Sequence, residues 1–479
     1  MSTRSERILG PEGVLGAPEI ALHGCKATRT LEQQYPDAQT TPPLMQRAGL
    51  AIAELALALA PHSNTIWVAC GPGNNGGDGL IAAQYLQRWG KKVSLTGPVS
   101  VAKAAALDGL SWAAEAPIKC ELAIDALFGI GAVRGITGVY ADWIAQLNQL
   151  QVPVLAVDVP SGLHADSGMA AEGPWVMADH TLSLLTLKPG LFTGNGRDAC
   201  GQIWWNSLGI DTTQSPADAL LSGAPVPRIR PHNSHKGSYG DVAIVGGAHG
   251  MEGAAILAAS AALCGGAGRV FLSLRSKLAA PQAVPPELMV RTLQSLPLDQ
   301  LTVVAGCGAG EQLAADLPAI ITQSQQLVLD ADALNTLAQR PDLQSLLSQR
   351  PAHRTVLTPH PLEAARLLGT NVQSVQSDRL QAAQVLSGRF NACVVLKGSG
   401  SIISAPNHTT RINPTGNARL ACAGTGDVLA GLTGALMACG MPGFEAASEA
   451  VYRHGRVADT WPAQGGGLTA GQLARAVSA

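Results

Sequence analysis

Charge is sparse in this chain and nearly balanced: Asp, Glu, Lys and Arg make up 14% of the residues, and 32 basic against 34 acidic side chains leave a formal net charge of −2. Nucleic acid and anionic membrane surfaces call for a basic excess or a basic tract, so neither is an expected partner and a small-molecule ligand fits better. Cysteine pairs are lacking too. The nine cysteines, at 25, 70, 120, 200, 264, 307, 393, 422 and 439, form no CxxC and no cluster with histidine at zinc spacing; they read as thiols of a reducing compartment rather than a disulfide framework. The first sixteen residues carry charge but no apolar core, so no secretory signal is expected. The uncharged stretches 253–268 and 428–444 are rich in Gly and Ala and fall short of the roughly 20 strongly apolar residues that a membrane span needs. The expected location is cytoplasmic.

What the chain does have is apolar material, 46% of it, over 479 residues. That is enough for a globular protein and too long for one ordinary core, because cores stop growing and chains divide into domains of roughly 50 to 250 residues. The clearest boundary is Asp211–Lys236, with four prolines and no sustained periodicity. A cut near Ser222 gives domains of 1–222 and 223–479. On each side, short β-branched runs alternate with Ala/Leu-rich stretches of helical period, the pattern of βαβ units around a parallel sheet. The expected fold class is therefore α/β twice over. Strands are expected at 65–70, 92–97, 122–127, 152–159 and 180–187, then at 240–245, 269–274, 301–306, 326–330, 355–358 and 392–396. Helices are expected at 43–60, 78–89, 252–264, 362–368 and 426–438. In such sheets ligands bind at the carboxyl ends of the strands, so the residues that follow strands carry the information.

After the strand TIWVAC comes Gly71-Pro72-Gly73-Asn74-Asn75-Gly76-Gly77-Asp78-Gly79. Five glycines let backbone N–H groups approach a phosphate, and a following helix adds partial positive charge; the plain alternative is a tight turn with Asp78 as helix cap. A second strand end gives Asp125, then Gly129-Ile130-Gly131-Ala132-Val133-Arg134-Gly135, whose arginine suits a phosphate. A third gives Asp158-Val159-Pro160-Ser161-Gly162. Three successive strand ends carrying acid or amide with glycine exceed what turn chemistry alone requires.

Together GPGNNGGDG, DALFGIG, VDVPSGLHADSG, LLTLKPGLFTGNG and the helix start LMQRAG resemble, in order and spacing, the NAD(P)H-hydrate epimerase family. The resemblance implies a Rossmann-like three-layer domain over nearly all of 21–210. It implies that Asn74, Asn75, Gly76, Gly77, Asp78 and the stretch from Gly129 to Gly135 contact the hydrated dinucleotide. It further implies that Asp158 faces the altered ring as acid/base group, and that Asn75, Asp125 and Ser161 hold a potassium ion. Lys188, after the next strand, is left open between cationic partner of Asp158, phosphate contact and solvated lysine.

In the second half Ala423-Gly424-Thr425-Gly426-Asp427 runs straight into an Ala/Leu helix. Its turn supplies backbone donors at a helix N-terminus for a phosphoryl group, and Asp427 can take the proton of a hydroxyl acceptor; a simple capping Asp is the alternative. Nearby strand ends carry Lys397-Gly398-Ser399-Gly400-Ser401, Asp330-Ala331-Asp332 and Thr358-Pro359-His360-Pro361. HKGSYGDVAIVGGAHGMEGAAILAASAAL, VLDADALN, LTPHPLEAARLLG, VVLKGSGS and NARLACAGTGDVLAG resemble the ADP-dependent NAD(P)H-hydrate dehydratase family, over about 231–455. That resemblance implies a ribokinase-like domain. Lys397 to Ser401 and Gly426 would then bind the nucleotide, and Ala254, Gly310, His360 and Asp427 the hydrate. ADP is the implied co-substrate, with Mg2+ in support and NADHX and NADPHX as substrates; a homo-oligomer is expected. Two stretches depart from the family pattern: Asn417–Cys422 replaces the usual proline, glycine and methionine, and Ala305–Gly310 replaces a GPGLG turn. Two rivals stay open. The second half is otherwise an ATP-dependent small-alcohol or vitamin kinase, and the first half a dinucleotide-binding scaffold.

Overall fold

Parallel strands buried on both faces must be nearly all apolar and covered by helices on either side, and both sheets of this protein meet that condition. The computed structural model describes residues 5–8, 18–35, 41–98, 100–101, 109–131, 135–226, 228–276, 284–462, 464 and 466–478. They divide into a unit over 21–219, which also takes in 5–8, and a unit over 220–479, which also takes in 18–20.

The first unit contains α1 (Cys25–Gln34), α2 (Leu44–Leu59), β1 (Thr65–Cys70), α3 (Asn74–Arg88), β2 (Lys92–Thr96), β3 (Leu122–Ala126), α4 (Val139–Gln149), β4 (Val154–Val157), β5 (His180–Leu184) and β6 (Gln202–Asn206). Its sheet order is β6-β5-β4-β3-β1-β2, all parallel, with two-residue strands 6–7 and 111–112 at the edges. Strand alternation sends Ile66 and Val68 of β1 to one side with Ile52, Ala56 and Leu86, and Trp67 and Ala69 to the other with Trp143, Ile144 and Leu147. That gives three layers, as expected for a Rossmann-like domain. β4, expected as a central strand, lies between β3 and β5 with all four residues buried.

One boundary differs in a way that bears on the site. The helix expected from Asp78 starts at Asn74, with Gly73 as cap, so Asp78 sits inside it and is not its N-cap. Asn-Asn-Gly-Gly has poor helix propensity, but tertiary packing overrides it. A methyl group on Gly76 would lie 2.0 Å from Gly71 O, and one on Gly71 would lie 1.7 Å from Leu127 O. The turn is pressed against the neighbouring strand end, and only glycine permits that approach.

The second unit contains β7 (Asp241–Gly246), α5 (Glu252–Cys264), β8 (Arg269–Leu274), β9 (Thr302–Ala305), β10 (Gln326–Leu329), β11 (Thr355–Leu357), α6 (Pro361–Leu368), α7 (Arg379–Phe390), β12 (Cys393–Leu396), β13 (Ile402–Ser404), β14 (Arg411–Ile412), α8 (Thr425–Ala438) and α9 (Gly443–Asp459), with shorter helices between. The order β8-β7-β9-β10-β11-β12 is parallel, and β13 and β14 continue it antiparallel. Val242 and Ile244 pack with α5 and α8 on one face, while Ala243 and Val245 pack with Ile320, Leu334 and Phe390 on the other.

Candidate active sites

In the first unit, the carboxyl ends of β1, β3 and β4 open on a cavity of about 490 Å3 whose lining includes Asn74, Asn75, Asp78, Gly129, Ile130, Gly131 and Asp158. Residues from three separate strand ends thus meet at one place. Gly76 and Gly77 do not line it; Gly76 packs on Gly71 and Gly77 faces Met45. Gly135 abuts Glu172 O instead, where a methyl group would lie at 2.7 Å. Ala132, Val133 and Arg134 lie outside the described residues.

Asp158 is held at φ 68°, and Leu185, also in the lining, at φ 62°. Such values are costly for side-chain-bearing residues and cluster where function over-determines the backbone. The Asp158 carboxylate pairs with the Lys188 ammonium and accepts from Leu184 N at 3.3 Å. Lys188 is 1% exposed and also donates to Leu184 O at 2.7 Å. Of the roles left open for it, solvated lysine is excluded by burial, and the geometry makes it the cationic partner of Asp158.

Asp125 is fully buried and accepts from Ser161 Oγ at 2.6 Å, Ser161 N at 2.8 Å and Leu127 N at 3.2 Å. Burial pushes its carboxyl up to about 6 against those hydrogen bonds, with no cationic side chain contributing. Asn75 Nδ2 is buried without a hydrogen-bond partner; a half-turn of the amide, which keeps its shape, presents an oxygen there instead. A carboxylate without a counter-charge, a hydroxyl and an amide oxygen are donors that suit a weakly hydrated monovalent cation.

Three polar cavity-lining residues escaped the sequence reading: Arg29, Glu32 and Tyr35, on or just after α1. Arg29 Nη2 comes within 3.8 Å of a methyl position on Gly131, so a guanidinium faces the glycine loop from α1. Cys25–Gln34 has only Leu31 as a buried apolar residue, too little periodicity to mark a helix in advance.

Gly129 separates Asp158 from Asn75. A methyl group on it would lie 3.1 Å from Asp158 Oδ2 and 3.2 Å from Asn75 Oδ1. Gly129→Ala is therefore expected to displace those groups and lower the kcat/KM of the reaction run at this cavity by roughly ten- to a hundredfold, the cost of a misplacement of about 1 Å. Circular dichroism checks that the fold survives; an unchanged kcat/KM with the fold intact contradicts the placement.

In the second unit the carboxyl ends of β9 to β12 meet the start of α8. Cys307, Asp330 and Asp427 bring ligand atoms within 4.8 Å of one another. Lys397 Nζ donates to Asp330 Oδ1 at 2.7 Å and lies 3.3 Å from a methyl position on Gly426. Thr358 Oγ1 donates to the same Asp330 oxygen at 2.9 Å. Burial pushes the Asp427 carboxyl up to about 6, with Asp330 adding to the rise and Lys397 opposing it. Burial likewise raises Glu363 to about 7, and Lys397 at 4.0 Å opposes it. Lys397, expected at the nucleotide, has its ammonium among the acids and beside the turn where Gly426 and Asp427 stand.

His360 caps α6: Nδ1 accepts from Leu362 N at 3.1 Å, and Glu363 Oε2 accepts from His360 N at 2.8 Å. Ala254 faces the 306–310 turn, 3.0 Å from a methyl position on Gly308, and Gly310 N donates to Asp332 Oδ2 at 2.8 Å. Cys307, at the departure from GPGLG, is wholly buried, and its thiol lies within 4.8 Å of the Asp427 and Asp330 carboxylates. In the other departing stretch, Asn417 Nδ2 donates to Asp459 Oδ1 at 2.9 Å, tying the loop to the end of α9.

Gly398 to Ser401 follow β12, and Arg379, 1% exposed, lies behind them. Its Nη2 donates to Leu396 O, Lys397 O and Gly400 O at 3.3 to 3.4 Å. Nothing near position 379 marks it in the sequence. Arg379→Met leaves those carbonyls without their donor, so it is expected to lower stability by roughly 2–4 kcal/mol and to raise the KM of any ligand that this loop holds more than it changes kcat. Thermal melts and a nucleotide titration check both; an unaltered KM refutes the bracing role.

Residues 242–478 match the NAD(P)H-hydrate dehydratase family, and residues 42–190 match the family of the YjeF-related protein N-terminus. The chain is 37% identical to the bifunctional NAD(P)H-hydrate repair enzyme of Escherichia coli K12, covering 90% of this chain and 87% of that one. It is also 37% identical to its counterpart in Coxiella burnetii, covering 90% and 93%. Among solved structures, an ADP/ATP-dependent NAD(P)H-hydrate dehydratase from Bacillus subtilis, co-crystallised with ATP and Mg2+, is 28% identical with a TM-score of 0.44, covering 52% of this chain and 91% of that one. With both halves matched and nine tenths of its length aligned, the chain belongs to the family of bifunctional NAD(P)H-hydrate repair enzymes.

Proposed function

We propose that residues 1–222 interconvert the R and S hydrates of NADH and NADPH, and that residues 223–479 dehydrate the S hydrate, converting ADP to AMP and phosphate. The observation that carries this reading is the Asp427 carboxyl at the start of α8, beside the Lys397 ammonium and the Gly426 turn. Hydroxide is a poor leaving group. As Asp427 accepts the proton of the ring hydroxyl, the hydroxyl oxygen forms a bond to the β-phosphorus of ADP and the bond to AMP breaks. Backbone N–H groups at the start of α8 and the Lys397 ammonium offset the charge on the transferring group. Loss of phosphate with a ring proton then restores the dihydronicotinamide. The loop Gly398–Ser401 contributes backbone donors to the nucleotide, and Ala254, Gly310 and His360 border the hydrate.

In the first domain Asn74, Asn75 and Asp78 at the start of α3 and the turn Gly129–Gly131 hold the dinucleotide, with Arg29 set against its negative charge. Asp158, oriented by Lys188, moves the proton that accompanies departure and return of the ring hydroxyl. Asn75, Asp125 and Ser161 hold potassium, which supplies a fixed positive charge that ties two loops together. Magnesium prefers oxygen and water ligands; the Cys307 thiol and the ion-paired Asp330 suit it poorly, and it would be held by the nucleotide phosphates. The nine cysteines are all free, and no helix among the described residues is long and apolar enough to cross a membrane; the proposed setting is the cytoplasm, and the proposed assembly a homo-oligomer.

The test is an absorbance assay at the reduced-nicotinamide band with purified R and S hydrates and with ADP or ATP. The S hydrate should return the band with ADP, and the R hydrate should do so only through the first domain. A stable phosphorylated product without recovery of the band makes the second half a small-alcohol kinase and overturns the proposal.

A further inference from the structure

A cavity of about 600 Å3 opens in the second unit, lined among others by Arg228, Arg230, Arg453, Arg456, Tyr239 and Tyr452. It borders Cys439, which caps the far end of α8, whereas Asp427 lies in the first turn of that helix. Fourteen residues at 1.5 Å each put about 20 Å of helix between the two places.

The lining holds four arginines and no Asp or Glu. Behind it Glu449 lies 3.6 Å from Arg228 and also pairs with Arg453. Arg453 Nη1 is buried and has no hydrogen-bond partner. Arg230 is fixed in place, stacked 4.0 Å over the Tyr239 ring with Nη2 donating to Gly266 O at 2.8 Å. Positive charge so gathered around one cavity draws an anion. A guanidinium fork matches phosphate oxygens two at a time, and its flat face and the tyrosine rings accept a planar group. Leu436, Val457 and Val477 add apolar surface, and the volume falls in the range of small-ligand sites, about 300–1,000 Å3.

We infer that this cavity is a second ligand site, separate from the cluster at Asp427, and that it takes a phosphate-bearing small molecule with a planar ring, of the nucleoside phosphate class. Ligand held there touches the far end of α8, the helix that carries Asp427.

Hydrogen–deuterium exchange on the full chain with 5′-AMP, and separately with inorganic pyrophosphate, reads the location directly. AMP should slow exchange at 228–230 and 452–460, at lower concentration than pyrophosphate does. Arg228→Glu, on a side chain 49% exposed, should raise the AMP concentration required by about ten- to a hundredfold while leaving the response at 397–401 unchanged. Ile229→Glu, at a position 95% exposed, should act in the same direction without touching an ion pair. No protection at either segment at millimolar AMP, or protection unaltered in both variants, overturns the site. Equal potency of pyrophosphate overturns the planar-ring requirement. Protection that grows with protein concentration alone assigns the face to a second copy of the chain, and that also overturns it.

Discussion

Asp427→Asn is expected to lower dehydration of the S hydrate by roughly 10²- to 10⁴-fold, the range a positioned general base contributes, while ADP still binds. The wild-type pH profile should show the same group. With the carboxyl raised to about 6, the base is ionised at neutral pH, and the rate falls about tenfold per pH unit below 6. A stability effect of opposite sense accompanies it. Between roughly pH 4 and 6 the folded form keeps a proton that the unfolded chain has released, so stability falls as pH rises through that window and the penalty is complete by pH 7. Asparagine never ionises. The variant should therefore melt higher at pH 7, by about 1–3 kcal/mol in unfolding free energy, and the gain should vanish below pH 4. An inactive variant that is also less stable at pH 7 would mean that Asp427 holds the turn together rather than accepting a proton.

Cys307 sharpens that distinction. Its buried thiol lies beside Asp427, and burial with Asp427 and Asp330 nearby holds the thiol well above its ordinary range, so it stays protonated. The contact favours the ionised form of Asp427. Cysteine here stands at a departure from the family turn, and the sequence pattern gave no hint that the substitution touches the base.

How much was legible follows the physics of each residue. β1 and α5 were placed to the residue because apolar runs bounded by turn formers speak for themselves. β6 was missed, although Gln202–Asn206 carries two tryptophans: the run is five residues long and follows Gly201 without a clear break. α9 was missed as well, since Gly443–Asp459 buries Ser448, Glu449 and His454 along with its apolar face, which blurs the period that marks a helix. At the sites, residues that follow strands were readable, because the sheet delivers its strand ends to one place. Arg29, Arg379 and the pairing of Lys397 with Asp330 were not, because they depend on which strands become neighbours, and spacing along the chain does not carry that information.

The Asp158–Lys188 pair gives the largest expected stability change. Lys188 is buried, and its removal leaves a carboxylate in the same enclosure without its counter-charge. Lys188→Met should cost about 3–5 kcal/mol, the range for breaking a buried pair by deleting one partner, and should lower the melting temperature of the first unit. Asp158→Asn is the better probe of chemistry than Asp158→Ala, because asparagine tolerates the left-handed backbone at φ 68° whereas alanine adds strain there. It should lose roughly 10²- to 10⁴-fold in epimerase rate with dinucleotide affinity retained, and S-hydrate dehydration should be untouched. Combining Asp158→Asn with Lys188→Met removes both charges, so the double variant should be more stable than Lys188→Met alone while remaining inactive as an epimerase. If the two single losses in stability simply add, the ion pair is not what Lys188 contributes; if Asp158→Asn keeps its turnover, the proton is moved by some other group lining the cavity.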